Sequence, residues 1–125
     1  MTVFLGGTCN NSIWRNELIP LLKIEYFNPV VENWTAECLA EEIRQRNVCD
    51  ILLYVITPEM KGVYSIAEVI DDSNKRPSKT VFCIYGEFEK HTQKSLDAVR
   101  MLVVANGGSF VTWEHLPTLL NNFNN

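Results

Sequence analysis

The sequence has no long hydrophobic run. Its strand-like apolar stretches end after about eight residues, well short of the roughly 18 to 20 needed to cross a bilayer, so a spanning helix is not expected. Basic residues are also scarce. Eleven Lys and Arg against fifteen Asp and Glu leave a formal charge of −4, and the one basic cluster, Lys75, Arg76 and Lys79, is a short loop, so neither nucleic acid nor an anionic membrane is expected as a partner. The four cysteines, Cys9, Cys38, Cys49 and Cys83, form no CxxC pair and have no histidine at a metal-binding spacing, which speaks against zinc or another metal. Cys49 and Cys83 fall beside or within apolar runs, where a thiol acts as a small hydrophobe. With no signal-peptide pattern at the start, a reducing cytoplasm without disulfides is the expectation. His91 and His115 lie in no recognisable catalytic context and Cys9 has no identifiable base, so Ser-His-Asp and Cys-His chemistry lack support and both histidines read as surface residues. There is no GxGxxG and no Lys-Ser/Thr pair of a phosphate loop, so no dinucleotide or nucleoside triphosphate cofactor is implied.

Apolar residues make up 46% and charged residues 21%, near ordinary globular values, so the chain should fold around a conventional core. At 125 residues it fits one domain, residues 1–125, large enough to bury roughly two thirds of its unfolded surface.

The elements alternate. Thr2 to Gly7 reads as a strand ending in Gly6-Gly7, followed by a polar turn, Cys9-Asn10-Asn11-Ser12. Ile13 to Leu22 reads as a helix carrying Trp14, Leu18 and Leu21 on one face, kinked or divided by Pro20. Glu25 to Val31 is a second strand closing on Asn28-Pro29, and Thr35 to Asn47 a helix burying Leu39 and Ile43. Asp50 to Thr57 is a continuous apolar run, as a central strand covered on both faces must be. After a loop from Pro58 to Tyr64 come a short helix, Ser65 to Asn74, a basic turn to Lys79 and the strand Thr80 to Tyr85. Thr92 to Asn106 is helical with Leu96, Val99 and Leu102 or Val103 inward, stopped by Gly107-Gly108. Ser109 to Trp113 is a fifth strand, and Glu114 to Phe123 a last helix running into an Asn-rich end that should fray. Strict alternation implies an α/β fold: a doubly wound, flavodoxin-like parallel sheet of five strands in the order 2-1-3-4-5, with helices on both faces.

That order sets the turn after the first strand beside the loop after the third, at the switch point where such sheets bind ligands. Gly6, Gly7 and Thr8 are thereby brought towards Ser65 and Glu68, and the glycines let a small ligand approach the backbone. A response-regulator receiver shares the architecture but needs a carboxylate pair after the first strand and an Asp ending the third; Gly6-Gly7-Thr8 and Thr57 stand there instead. Glu68 has two readings. It is a carboxylate at the crevice, or, with Ser65 three residues earlier, half of a capping box satisfying free amides at the helix start.

Phe4-Leu5-Gly6-Gly7-Thr8, Ser12-x-Trp14-Arg15, Asn28-Pro29 with Trp34, and Ser65-x-x-Glu68, in this order and at these spacings, resemble the nucleoside 2-deoxyribosyltransferase-like family over most of the chain. The resemblance implies that Glu68 is a nucleophile that attacks the anomeric carbon of a nucleoside or nucleotide and expels the base. An oxocarbenium-like transition state carries positive charge that a carboxylate stabilises before forming a covalent ester, as in retaining glycosidases. A carboxyl of ordinary pKa, about 4.3, is ionised for this near neutral pH. Gly6, Gly7 and Thr8 would pass close to the sugar, and Ser65 with the first amides of its helix would bind a sugar hydroxyl or a 5′-phosphate. Arg15 would reach a phosphate or else stand as a solvated helix charge. Trp14 reads as core in preference to a stacking platform, Trp34 and Tyr64 as free to line a pocket, and Asn28 as a ligand amide or an ordinary turn residue. The resemblance further implies a homodimer or larger homo-oligomer.

Two positions depart from the family as represented by its better-characterised transferases. Gly62 stands where an Asp precedes the nucleophile by six residues, and Phe4 where a Tyr on the first strand orients it. Transfer to a second base, hydrolysis of a nucleoside 5′-monophosphate or a nicotinamide dinucleotide by the same Glu, and nucleotide binding without chemistry all stay open, and Tyr64 is a candidate to supply the missing hydroxyl.

Overall fold

Ile51 to Ile56 is apolar at every position because neither face of it meets water: all six residues are buried. In the structure, a computed structural model describing residues 1–9 and 11–124, this segment is the central strand. Asn10 of the polar turn and Asn125 of the Asn-rich end lie outside the described residues. The elements are β1 (Thr2–Gly7), α1 (Trp14–Leu18), β2 (Glu25–Phe27), α2 (Ala36–Val48), β3 (Ile51–Ile56), α3 (Tyr64–Lys75), β4 (Thr80–Ile84), α4 (Lys90–Ala105), β5 (Ser109–Phe110) and α5 (Leu116–Asn121). Every strand pairing is parallel, and the order is β2-β1-β3-β4-β5, as the alternation predicts. No helix among the described residues is long and apolar enough to cross a membrane.

Alternate side chains of the strands build two cores. Val3, Leu5, Ile51, Leu53 and Val55 meet Trp14, Leu18, Leu116 and Leu120 of α1 and α5 on one face. Phe4, Leu52, Tyr54 and Phe82 meet Val69, Leu96 and Val103 of α3 and α4 on the other. Cys49 and Cys83 are buried and free, and burial pushes their thiols up to about 11 and about 12, so they remain protonated. Both histidines are exposed.

The differences from the sequence expectations lie at edges and ends. The second strand stops at Phe27, not Val31: it pairs only with Thr2, Val3 and Phe4, and the next β1 carbonyl, that of Leu5, is taken by Arg15. The fifth is two residues long, since a 3-10 turn at Trp113–His115 follows while Trp113 stacks on Tyr85 at 3.9 Å. Pro20 falls in a 3-10 turn, Ile19–Leu21, that ends α1. Ile43 is exposed, not buried; what α2 buries is Arg46. On α4 the inward residue is Val103, with Leu102 outward, and the helix starts at Lys90 because the Glu89 carboxylate accepts from the amides of His91 and Thr92.

Candidate active site

The carboxyl ends of β1 and β3 are fitted to each other atom by atom. Gly6 lies opposite Tyr54 and Gly7 opposite Val55. A Cβ on Gly6 would stand 2.6 and 2.7 Å from the Tyr54 ring. Gly7 has φ +117°, and a Cβ there would meet the Val55 carbonyl oxygen at 2.0 Å. Both glycines thus answer first to β3. Beyond them, the Thr8 amide donates to Val55 O at 2.9 Å and the Thr8 hydroxyl accepts from the Thr57 amide at 3.0 Å. The Thr8 carbonyl accepts three bonds, from Ser12 Oγ at 2.9 Å, Trp14 Nε1 at 2.9 Å and Arg15 Nη1 at 2.7 Å.

Arg15 is buried, and burial opposes its charge and lowers its pKa. Its Nε and Nη2 donate to Leu5 O at 3.0 and 2.9 Å. The solvated-charge reading is therefore corrected: the guanidinium gathers the Leu5 carbonyl in β1, beyond the last residue paired with β2, and the Thr8 carbonyl just after the strand. Trp14 is core, as expected, with its indole N–H spent on the same loop.

Glu68 sits in the second turn of α3. The capping box is not formed. The helix begins one residue earlier than expected, with Val63 at the N-cap making no side-chain bond, and the Ile66 amide reaches Val63 O at 3.0 Å. Released from that role, the Glu68 carboxylate lies 3.6 Å from Arg46 Nη1, with only 12% of its side chain exposed. Burial pushes its pKa up to about 7; Arg46 pulls the other way, while Glu42, Asp72 and Asp71 add to the rise. Burial thus replaces the ordinary carboxyl pKa expected from sequence.

Behind Glu68 stands a buried ionic network. Arg46 donates from Nε and Nη2 to the two oxygens of Asp72, each at 3.1 Å, and from Nη2 to Asp71 at 2.9 Å. Asp72, fully buried, also accepts from the Tyr54 hydroxyl at 2.5 Å and from Arg76 Nη1 at 2.5 Å. Burial, reinforced by Asp72, holds the Tyr54 phenol far above its ordinary range, so it stays a donor.

The cleft over these groups has a volume of about 360 Å³ and opens between the β1 turn, α2 and the start of α3. Gly6, Gly7, Thr8, Arg15, Trp34, Tyr64, Ser65 and Glu68 all line it. Asn28 does not: its Oδ1 accepts from the Val30 amide at 3.1 Å, the turn role, while its neighbours Pro29, Val30 and Val31 form the wall. Trp34 and Tyr64 are rim residues, 59% and 64% exposed. Glu42, which lines the cleft and accepts from Trp34 Nε1 at 3.3 Å, was not legible in the sequence. Nor were Arg46, Asp72 and Tyr54. One signal did exist: Glu68 and Asp72, four apart, share a helix face, and two inward carboxylates require cations. The site unites a carboxyl poised near neutral pH, a second carboxylate, the Ser65 hydroxyl, which has no side-chain hydrogen bond among the described residues, and an aromatic rim.

In comparison with known proteins, the sequence model of the family described as "Nucleoside 2-deoxyribosyltransferase like" matches residues 1–88. These residues hold β1 to β4 and every residue of the cleft. No curated protein and no solved structure matches the chain.

Proposed function

This chain belongs to the nucleoside 2-deoxyribosyltransferase-like family, and from that premise we propose that it transfers a ribosyl or deoxyribosyl group between nucleobases through a covalent ester on Glu68. A Glu68 oxygen attacks the anomeric carbon as the N-glycosidic bond breaks, and the base leaves with the bonding pair and takes up a proton. A second base then attacks the same carbon and returns the electron pair to the carboxylate. The observation that carries this reading is the carboxylate itself, nearly buried in the floor of the cleft and released from helix capping. Glu42 and Ser65 offer an acceptor and a hydroxyl to the sugar, Trp34 and Tyr64 offer faces to the base, and Gly6, Gly7 and Thr8 with Arg15 hold the turn over which the sugar lies. No cofactor or metal enters the scheme. Because attack requires the ionised carboxylate, kcat/KM should rise with pH through about 7.

A second reading is N-glycohydrolysis of a nucleoside 5′-monophosphate or a nicotinamide dinucleotide, with water as acceptor. The exposure of Trp34 and Tyr64 favours it, since the rim of an isolated chain leaves the ester open to solvent. Closure by a second copy would favour transfer, and a homodimer or larger assembly belongs to the first reading; light scattering at micromolar concentration that finds only monomer counts against it.

The deciding experiment is chromatography of ribo- and deoxynucleosides, their monophosphates and NAD, each incubated with and without a second free base. Wild type and Glu68→Gln are compared. Base exchange that vanishes in the variant supports transfer, base release without an acceptor that vanishes likewise supports hydrolysis, equal turnover in both proteins removes Glu68 from the chemistry, and no turnover in either leaves a nucleotide-binding domain without chemistry.

A further inference from the structure

Among the described residues, Glu68 pairs with one cation, Arg46, and the geometry of Arg46 is set by other groups. Its Nε and Nη2 grip the two oxygens of Asp72, each at 3.1 Å. A planar guanidinium held at two points has no freedom left in the third nitrogen, so Nη1 is directed at Glu68. Asp72 is immobilised in turn by Tyr54 from β3 and Arg76 from the end of α3. Arg76 also donates to Asn47, next to Arg46 on α2. Gly6 belongs to the same construction, because the Tyr54 ring occupies the place of its absent side chain.

We propose that Arg46 is the positioning residue of the site: anchored by Asp72 and Tyr54, it aims Glu68 into the cleft and keeps it charged for attack. This rests on the reading of Glu68 as nucleophile. The groups facing Glu68 are Arg46 and Glu42 from α2, Asp71 and Asp72 from its own helix and Tyr54 from β3; the β1 residues at the cleft, Phe4, Gly6 and Gly7, bring no charge, and Arg15 of α1, also in the lining, has its nitrogens engaged by the Leu5 and Thr8 carbonyls. Arg46 is the cation paired with Glu68 among the described residues, so the task of opposing burial and three carboxylates falls first to it. It acts again when the ester is resolved. The C–O bond breaks, its electron pair returns to the Glu68 oxygen, and the restored negative charge appears beside Nη1.

The test is a carbon-13 NMR titration of the Glu68 carboxyl, with pH profiles of kcat and KM, in wild type, Arg46→Met and Arg46→Lys. In Arg46→Met the Glu68 midpoint should rise by a pH unit or more, so that kcat/KM at pH 6 falls by about tenfold or more and recovers towards pH 9. Arg46→Lys keeps the charge without the two-point grip, so its Glu68 midpoint should move less while kcat falls at every pH with KM retained. A folded Arg46→Met with an unmoved Glu68 titration overturns the proposal. If Arg46→Met does not fold, Arg46→Lys decides, and wild-type kcat across the pH range overturns it. Should no nucleoside be turned over by any of the proteins, a Glu68 midpoint that still moves in the Arg46 variants sustains the electrostatic coupling and sinks the enzymatic reading alone.

Discussion

Glu68→Gln should gain stability relative to wild type as the pH rises. The carboxyl titrates at 4.5 when unperturbed and at about 7 in the folded state, chiefly through burial. Between these values the folded chain keeps a proton that the unfolded chain has released, so unfolding releases protons and stability falls with pH. Below 4.5 the cost is absent, and above 7 it is complete. Each tenfold difference in proton affinity is about 1.4 kcal/mol, so the gap between 4.5 and about 7 amounts to roughly 3 kcal/mol of lost stability in the ionised protein. Linkage over the same interval puts the loss at under about 1 kcal/mol at pH 5 and about 3 kcal/mol at pH 8. Attraction to Arg46 is already contained in the folded value. Glutamine has the shape of glutamate and no titration, so its stability relative to wild type should climb by about 2 kcal/mol over that interval, whatever constant offset the lost ion pair introduces. Urea denaturation at pH 5, 6, 7 and 8, followed by tryptophan fluorescence, measures it, and acids that do not interact with Glu68 cancel in the difference. A gap between the two proteins that stays constant from pH 5 to 8 would refute the placement of Glu68 as a buried, destabilised carboxylate.

Other perturbations address the scaffold around it. Gly7→Ala combines a φ of +117° with a Cβ 2.0 Å from the Val55 carbonyl oxygen and should cost at least about 2 kcal/mol; a urea midpoint within error of wild type would show that this turn can relax. Thr8→Val leaves the Thr57 amide without its acceptor and should cost about 1–3 kcal/mol, read in the same denaturation assay. Arg15→Met removes the donors to the Leu5 and Thr8 carbonyls and should cost about 2–4 kcal/mol. It should also raise KM for whatever nucleoside is turned over, and steady-state kinetics with unchanged KM would argue that the turn holds its shape without the guanidinium.

What the sequence discloses about this fold is what repeats along it. Apolar runs alternating with 3.6-residue periodicity suffice for a parallel, doubly wound sheet, and two-sided burial sets Ile51 to Ile56 in its interior. Edges are less legible: Val30-Val31 and Val111 to Trp113 have apolar residues suited to strands, but a strand exists only where a neighbour accepts its bonds, and the pairing stops at Phe27 and Phe110 although β1 and β4 run on. The helix start at Tyr64 was hidden because its N-cap, Val63, has none of the side chains that mark a cap. Glu68 could be picked out from its position after the central strand and from the family's pattern, whereas its titration could not, because that depends on burial by residues from three elements. Arg46 and Asp72 lie 26 positions apart, and Tyr54 is hidden within an apolar run where its ring reads as core; no local pattern joins them.

The three bonds that converge on the Thr8 carbonyl bear on binding as well as on folding. Ordering a loop around a ligand ordinarily subtracts from affinity, at roughly 1–2 kcal/mol of entropy for each residue fixed. Here the Thr8 carbonyl is held by bonds within the protein, so its freedom is lost during folding. A ligand that fits the turn as it stands therefore binds a preorganised surface, and one that requires the turn to shift must break hydrogen bonds from Ser12, Trp14 and Arg15 to one oxygen at the same time. At Thr8, then, the ordering that a ligand would otherwise impose is supplied by folding, and a ligand's fit there depends on the shape the protein already holds.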